Sequence, residues 1–512
     1  MIEQKRASSV LLTKLVQNTT VESVVRITAG SFQVIDCNCL CWCRFPPSRC
    51  SDIVCLVSER TPPPGYRKGP ILHIPSPQRS PLLLVTSLLL IVLALSSNLH
   101  ADSTAFIGAT IYPVSGPVIE DGVMVVRDGK IESIGARSDV VIPSGATQVE
   151  SSGKTIIPGL ICTHSHIGMG GGGDGSDPIQ PECWTLDSVN VRSASVERAR
   201  AGGLTLVNQM PGSGHLISGR TTYLKLRRGG KVDDLLIRDA SGWPMGGLKM
   251  ANGTNSQRAA PFPGTRAKSA ALVRGAYIKA QEYRAKIEKA AGDPEKMPER
   301  DLKMEALVEA LEGKRIVHHH THRHDDILTV LRLRDEFGFQ VVLHHVSDAW
   351  KVAKEIAEAK APCSIIVIDS PGGKLEARDI QMENGMILEQ AGVNVSFHTD
   401  DWITDSRLFL RSAALGVRAG MTREGALRAL TLSGAEMLGL ADRTGSLDPG
   451  KDADFAIISG DPFSVYTKVL ETYVEGTRVF DLSNPEHRLF AVGGRGAGED
   501  QTYQCCGERG GQ

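Results

Sequence analysis

The middle of the chain, residues 159–437, alternates short apolar segments with amphipathic helical segments. Strand candidates such as TLVNQM, RIVHHH and QVVLHHV alternate with helical patterns such as DDILTVLRLRDEFG. Alternation sustained over this length is typical of parallel strands connected by helices. We therefore predict an α/β fold with a distorted (β/α)₈ TIM barrel, and an open doubly wound sheet is the alternative.

Short strands dominate both flanks of this region. Residues 102–158 contain AFIGATIYPV and GVMVVRDGKIESIG, in which Asp128 and Gly129 form a hairpin signal. Residues 438–492 contain DADFAIISGDPF and KVLETYVEGTRVFD. We predict that the two flanks pack together as a small composite β-sandwich domain beside the barrel.

An uncharged apolar run from Leu82 to Leu95 precedes the small residue Ala101. The run is shorter than the roughly 20 residues of a membrane helix and matches the apolar core of a secretory signal. Segment 81–101 is thus predicted to direct export to the periplasm or the outside of the cell, with a membrane anchor as the alternative. We interpret residues 1–80 as an extension or as sequence upstream of the true start, and residues 493–512 as a disordered tail.

The charge balance disfavours one class of partner. The chain has 57 Lys and Arg against 58 Asp and Glu, so it lacks the basic excess that nucleic acid binding requires. We expect a small-molecule substrate, no nucleic acid, and membrane contact only through segment 81–101 if it is not cleaved; a homo-oligomer is left open. Six of the 11 cysteines lie within residues 37–55, in a spacing that matches no established zinc motif.

Histidines are concentrated at the ends of the predicted barrel strands. Of the 14 histidines, 11 lie between His164 and His398. Residues i and i+2 of a strand share a face, so His164 and His166 are expected to point the same way. The same spacing in FHTD relates His398 to Asp400, and His398 is expected to support the site from behind its ligands.

Two further strand ends carry histidine runs. HHHTH places His318, His320 and His322 on one face, and LHHV places one of its two histidines inward and the other outward. Inward side chains at the carboxyl ends of barrel strands converge on one face of the barrel. Imidazole and carboxylate groups are ligands of zinc and similar ions, so the pattern predicts a metal site there.

Several motifs resemble one enzyme family. GKTIIPGLICTHSHIG resembles the first barrel strand of the amidohydrolase superfamily, and FHTDD resembles its last catalytic strand. LTLSGAEMLGLADRTGSLDPGKDADFAIISGDPF is similar to its closing segment. LKMANGTNSQR and HTHRHDDILTVLRLRDEFG resemble motifs of the imidazolonepropionase-related branch. The resemblance covers roughly residues 105–480.

The resemblance implies a divalent metal site in the barrel. Carried over position by position, the implied ligands are His164, His166, Lys249, His320, His345 and Asp400. Lys249 matches a lysine that is carbamylated in many members and bridges two metals. Two zinc ions are therefore implied, with iron, manganese or cobalt as alternatives. His318 and His322 remain alternatives to His320.

The implied activity is hydrolysis of an amide or cyclic amide C–N bond by metal-activated water, with Asp400 as general base and acid. His322, Arg323 and Tyr223 are candidate substrate contacts, although Arg323 could instead pair with the acidic residues 325–326 of the next helix. A metallopeptidase acting on short peptides or N-acyl amino acids, a deaminase and a non-catalytic binding protein are the alternatives.

Overall fold

The computed structural model describes most of the chain beyond residue 102. The described residues are 25–28, 31–34, 103–168, 173–366, 374–401, 403–494 and 497. The chain divides into two compact units, residues 1–86 and 87–512. In the first unit, the described residues form a hairpin of two antiparallel strands, β1 (Val25–Thr28) and β2 (Ser31–Val34). The apolar segment 81–101, the cysteine-rich residues 37–55 and residues 498–512 of the predicted tail lie outside the described residues.

The first five strands among the described residues of the second unit lie before the central region. They are β3 (Ser103–Ile111), β4 (Ile119–Arg127), β5 (Lys130–Ala136), β6 (Thr147–Glu150) and β7 (Thr155–Pro158). Asp128 and Gly129 form the turn between β4 and β5 with φ angles of 50° and 75°, as the Asp-Gly signal predicted. β6 and β7 both pair with β3 in parallel orientation.

The described residues of the central region contain nine strands, which form two sheets. One sheet contains β8 (Leu160–Ser165), β9 (Leu204–Gln209) and β11 (Thr222–Lys225). The other contains β10 (Ile217–Arg220), β12 (Leu248–Ala251), β13 (Val317–Thr321), β14 (Val341–His345), β15 (Cys363–Ile365) and β16 (Val395–Phe397). The strands from β12 to β16 pair in parallel and in chain order, as strand–helix alternation predicted.

The predicted single closed barrel is not observed as one continuous ladder in the described residues. Between β9 and β12 the chain doubles back as β10 and β11, which pair antiparallel with different neighbours, β12 and β9. This irregular connection divides the strands into two sheets. On the other side, the amide of Asp400, just beyond β16, donates to the carbonyl of His164 in β8 at 3.0 Å. The first and last strands of the region are therefore adjacent.

Helices follow most of the central strands. Their bounds are α1 (Ala194–Ala201), α2 (Arg266–Ala290), α3 (Leu302–Leu311), α4 (His324–Phe337), α5 (Ala353–Glu358), α6 (Asn384–Gln390), α7 (Arg411–Arg418), α8 (Arg423–Leu430), α9 (Leu432–Met437) and α10 (Pro485–Val492). α4 has Asp325 and Asp326 in its first turn and ends at Gly338 with φ 79°, which fit the helix dipole and a left-handed cap. Within the described part of the chain, no helix has the length and apolarity needed to cross a membrane.

Three strands close the fold and join its two flanks. β17 (Phe455–Ile458), β18 (Val469–Val474) and β19 (Thr477–Asp481) pair in succession, and β17 also pairs antiparallel with β7. The flanking strands therefore form one eight-stranded mixed sheet. Phe455 stacks on Tyr473 with ring centroids 4.5 Å apart, and Phe106 of β3 packs edge-on against Phe455 at 5.0 Å. These aromatic contacts bury apolar surface from both ends of the region in one cluster.

A separate apolar cluster lies between the central strands and their helices. It includes Leu160, Val207, Leu343 and Phe397, all buried. Side chains alternate along a strand, so when the apolar residues face the helices, the residues between them point to the opposite face of the sheet. The polar side chains of that opposite face are the histidines and carboxylates described next.

Candidate metal centre

His164 and His166 lie together at the carboxyl end of β8. Their Nε2 atoms are 3.3 Å apart, so the pair shares a face as the spacing predicted. Nδ1 of His166 lies 2.8 Å from the carbonyl oxygen of Met210, to which it donates its proton. This contact leaves the lone pair on Nε2 and directs it towards His164, the arrangement that orients metal-binding histidines.

The carboxylate of Asp400 completes this group. Its Oδ1 lies 3.1 Å from Nε2 of His166 and 3.5 Å from Nε2 of His164. Burial raises the pKa of Asp400, but the neighbouring His166, His398 and Lys249 lower it by more when they are protonated, so the pKa lies well below its ordinary value. Asp400 is therefore ionised at neutral pH and available as a ligand or a base.

Asp401, the second aspartate of FHTDD, holds the chain around this group. Its Oδ2 accepts hydrogen bonds from Oγ of Ser165 at 2.5 Å and from the amide of His166 at 2.9 Å. Its Oδ1 accepts from Oγ of Ser406 at 2.5 Å. Asp401 thus fixes the backbone that carries His166, a role that the sequence analysis missed although the residue adjoins Asp400.

Lys249 lies in β12 with its side chain fully buried. Its Nζ is 3.1 Å from Nε2 of His164 and 3.0 Å from Sδ of Met210. Burial lowers its pKa to about 7, against an opposing effect of the Asp400 charge. A substantial fraction of the side chain is therefore the neutral amine near pH 7, and its Nζ lies beside His164.

His320 and His322 are at the end of β13, with ring centroids 4.7 Å apart. Neither ring nitrogen of His320 has a hydrogen-bond partner among the described residues, and the same holds for Nε2 of His322. Nδ1 of His322 lies 2.8 Å from Oγ of Ser347. Burial lowers the pKa of His322 to about 3 and that of His320 well below its ordinary value, so both rings are neutral and carry a free lone pair.

His345 ends β14 and lies between the other histidines. Its ring centroid is 4.4 Å from that of His320 and 4.8 Å from that of His164. Its Nδ1 lies 3.2 Å from Nε2 of His398, whereas its Nε2 has no partner among the described residues. His398 is in turn oriented by Oγ of Ser364, 2.7 Å from its Nδ1.

Strand alternation fails at LHHV, because both of its histidines face inward. The ring of His344 lies 5.1 Å from that of His164, and His345 approaches the same ring. The reason is the backbone, since His345 and Val346 have φ angles of 70° and 41° and thus leave the extended conformation. The expectation that one of the two histidines points outward is therefore wrong.

Tyr223, His318 and His344 are connected by a buried series of side-chain contacts. The hydroxyl of Tyr223 lies 3.0 Å from Nε2 of His318, and Nδ1 of His318 lies 2.9 Å from Nε2 of His344. Both nitrogens of His318 are occupied, which favours His320 or His322 as the β13 ligand. Tyr223 is buried in β11, and its hydroxyl is occupied by the His318 ring.

Arg323 pairs with Asp325 through two hydrogen bonds of 2.9 and 2.8 Å. Of the two expectations for this arginine, the structure shows the pairing with the acidic start of α4. The side chain remains 40% exposed and lines a cavity of about 320 Å³ with Lys351 and Glu376. Arg323 therefore borders open space and is held by Asp325.

Three sets of side chains among the described residues could hold a metal ion, since one ligand atom from each member lies within 4.8 Å of the others. They are His164, His166 and Asp400; His164, His345 and His398; and His320, His322 and Glu376. Glu376 was missed because it lies in a short 3₁₀ helix, Leu375–Ala377, outside any strand pattern. Neutral imidazoles with unpartnered nitrogens and an ionised carboxylate fit a divalent cation, which is the donor set that zinc prefers.

Comparison with known proteins connects this geometry to a family. The amidohydrolase family model matches residues 155–484. A crystal structure of an amidohydrolase from Thermotoga maritima MSB8 is 34% identical, with a TM-score of 0.69, and the match covers 74% of this chain and all of that one. An imidazolonepropionase from Rhizobium rhizogenes is 26% identical over 387 residues, 69% of this chain and 90% of that protein.

The amidohydrolase tasK of Hapsidospora irregularis is 26% identical over 408 residues, 72% of this chain. This chain spans only 41% of the length of that relative. The family match supports a TIM-barrel-like α/β fold for the central strands and helices. The predicted relation to the imidazolonepropionase branch is confirmed, and the chain belongs to the amidohydrolase family.

Proposed function

We propose that the chain is a metal-dependent hydrolase that cleaves an amide or cyclic amide C–N bond. The observation that carries the proposal is the position of the Asp400 carboxylate, 3.1 Å from Nε2 of His166 and beside buried histidines with unpartnered nitrogens. A buried polar atom without a partner is costly, so such a group of atoms is expected to have a ligand.

The proposed ligands form one site, which we name the Lys249-centred site and which consists of His164, His166, Lys249, His320, His345 and Asp400. A lysine forms a carbamate only as the neutral amine, and burial of Lys249 favours that state. The carbamate would offer two oxygens, so it could join two cations. Zinc suits the histidine nitrogens and the carboxylate best.

A divalent cation supplies a Lewis acid for the scissile carbonyl and acidifies water. Asp400 stays ionised because its pKa is low, so it can accept the proton of the attacking water and return it to the leaving nitrogen. Hydrogen bonds to Asp401 hold His166, and therefore the edge of the site, in place.

The complete architecture is part of the proposal. We propose that the central strands close into a distorted (β/α)₈ barrel and that the flanks form a composite β-sandwich. The hydrogen bond between Asp400 and His164 supports closure, and the β7–β17 pairing supports a composite domain. Hydrogen–deuterium exchange at the Asp400 amide would test closure, because a closed barrel predicts slow exchange and an open edge predicts fast exchange.

Export is proposed from the apolar run Leu82–Leu95. Mass spectrometry of the mature N-terminus tests it. Cleavage near Ala101 is the expected result, and an intact N-terminal segment in the purified native protein would contradict it.

A substrate panel tests the proposed reaction. It should contain dipeptides, N-acyl amino acids, lactams, imides and amino-substituted heterocycles, and each should be incubated with the zinc-loaded chain and with Asp400→Asn. Hydrolysis of an amide or cyclic amide that is lost in Asp400→Asn is expected. Release of ammonia from the heterocycles alone would make the chain a deaminase, and no turnover of any compound would favour a binding protein.

A further inference from the structure

Glu376 is a buried carboxylate with one unused oxygen. Its side chain is 2% exposed, and its Oε2 accepts hydrogen bonds from the amide of Thr254 at 2.7 Å and from Nη2 of Arg266 at 3.2 Å. Its Oε1 is buried without a partner among the described residues. The protein therefore fixes this carboxylate through one oxygen and leaves the other free.

The free atoms of two histidines lie beside it. His320 and His322 each offer a ring nitrogen in the group that includes Glu376, and the three ligand atoms are within 4.8 Å of one another. Both nitrogens of His320 and Nε2 of His322 are buried without a partner among the described residues. Each of the three residues therefore has an unpartnered buried atom, and a cation bound within the group would satisfy one atom of each.

Ser347 and Gly253 fix the positions of His322 and Glu376. Ser347 occupies Nδ1 of His322 and so leaves Nε2 to face Glu376 and His320. Gly253, with φ 74°, lies against the carboxylate, and a Cβ atom at that position would come within 2.6 Å of Oε2 of Glu376. A glycine is therefore needed for Glu376 to reach the amide of Thr254.

We propose that His320, His322 and Glu376 hold a further divalent cation, separate from the cations of the Lys249-centred site. We name this position the Glu376 site. Two imidazole nitrogens and one carboxylate oxygen are a ligand set that zinc accepts, with a fourth position left for water or substrate. His320 would serve both sites, one through each ring nitrogen, with loss of its ring proton.

Zinc titration of the full-length chain tests the proposal without any substrate. The metal-free chain, Glu376→Gln and Glu358→Gln are titrated with zinc alone, and bound metal is counted after dialysis. Glu358 is the matched control because its side chain is 66% exposed and its partner is the exposed Lys354. The unsubstituted chain and Glu358→Gln are expected to bind three ions, and Glu376→Gln is expected to bind two.

Cobalt absorption gives a second measurement, which reports the ligands themselves. His322→Gln removes one nitrogen of the Glu376 site and should eliminate the same ion that Glu376→Gln eliminates, with a change in the visible cobalt spectrum. Lys249→Ala is expected to lose metal from the Lys249-centred site while retaining the ion that depends on Glu376. The two sites can therefore fail independently.

The proposal is overturned if the unsubstituted chain binds no ion that Glu376→Gln lacks, whatever the number of ions in the Lys249-centred site. It is equally overturned if Glu376→Gln and His322→Gln, shown by circular dichroism to be folded, bind as many ions as the unsubstituted chain. If Lys249→Ala binds as many ions as the unsubstituted chain, the proposed lysine bridge is wrong. The Glu376 site is judged by Glu376→Gln and His322→Gln alone.

Discussion

The carboxylate of Asp400 lies 3.1 Å from Nε2 of His166, although the two residues follow the last and the first of the central strands. The backbone makes this contact possible, because the amide of Asp400 donates to the carbonyl of His164 at 3.0 Å and its φ angle is 47°. The turn at Asp400 thus directs its carboxylate, which follows the last central strand, towards His164 and His166 at the end of the first. The proposed chemistry depends on this contact.

Replacement of Asp400 by asparagine should abolish most of the activity on any substrate that the panel identifies. The amide keeps the size of the carboxylate but cannot accept the proton of water, so we expect kcat/KM to fall by at least about 10²-fold. Circular dichroism should show an unchanged fold. Asp442→Asn is the control because Asp442 is exposed, and equal activity of both variants would exclude Asp400 as the base.

The buried amine of Lys249 should make the stability of the metal-free, uncarbamylated chain depend on pH. Its pKa is about 7 when folded and near 10.5 when unfolded, so between these values the unfolded state binds one proton more. The Lys249 contribution to the free energy of unfolding is therefore expected to rise by about 1.4 kcal/mol per pH unit from pH 7 upward.

Denaturant titrations of the metal-free chain and of Lys249→Met between pH 7 and 9.5 measure this contribution as a difference. Lys354→Met serves as the control, since Lys354 is exposed. A difference between the unsubstituted chain and Lys249→Met that does not change with pH would mean that Lys249 has an ordinary pKa in the folded chain.

Removal of the Tyr223 hydroxyl should affect stability more than substrate binding. Tyr223→Phe leaves Nε2 of His318 buried without its partner, which costs about 1–3 kcal/mol of unfolding free energy. The KM for a panel substrate should change less than about twofold, because the hydroxyl is occupied by the His318 ring. Tyr466→Phe is the control, with Tyr466 88% exposed. A raised KM at unchanged stability would instead make Tyr223 a substrate contact.

Chelation should destabilise the folded chain as well as inactivate it. Without a cation, the unpartnered nitrogens of His320 and His345 stay buried at a cost in free energy. Free zinc at 100 times its dissociation constant should restore about 2.7 kcal/mol for each independent ion. Differential scanning calorimetry measures the effect, and a midpoint that does not respond to zinc or chelator would contradict metal binding by the folded state.

Sequence periodicity predicted the parts of the site that lie on regular strands. His164 and His166 share a face because they lie at or just beyond the end of β8, and the i, i+2 rule therefore held. The parallel pairing of β12 to β16 followed from strand–helix alternation. Local hydrogen bonding and alternation are enough to determine these features.

Periodicity could not predict the parts that depend on irregular backbone or distant contacts. Alternation left open which histidine of LHHV points inward. Both do, because His345 has a positive φ angle. Glu376 lies on a three-residue helix and comes near His322 only through the fold. The doubling back of β10 and β11 likewise depends on partners in separate strands, β12 and β9.

Anomalous diffraction from crystals of the full-length chain grown with zinc tests the central claim most directly. The account predicts peaks at the zinc edge within about 2.2 Å of ligand atoms of His164, His166 and Asp400. It also predicts electron density that extends Lys249 by a carbamate between two of the ions. Zinc-replete crystals that show no anomalous peak beside these residues would contradict the account.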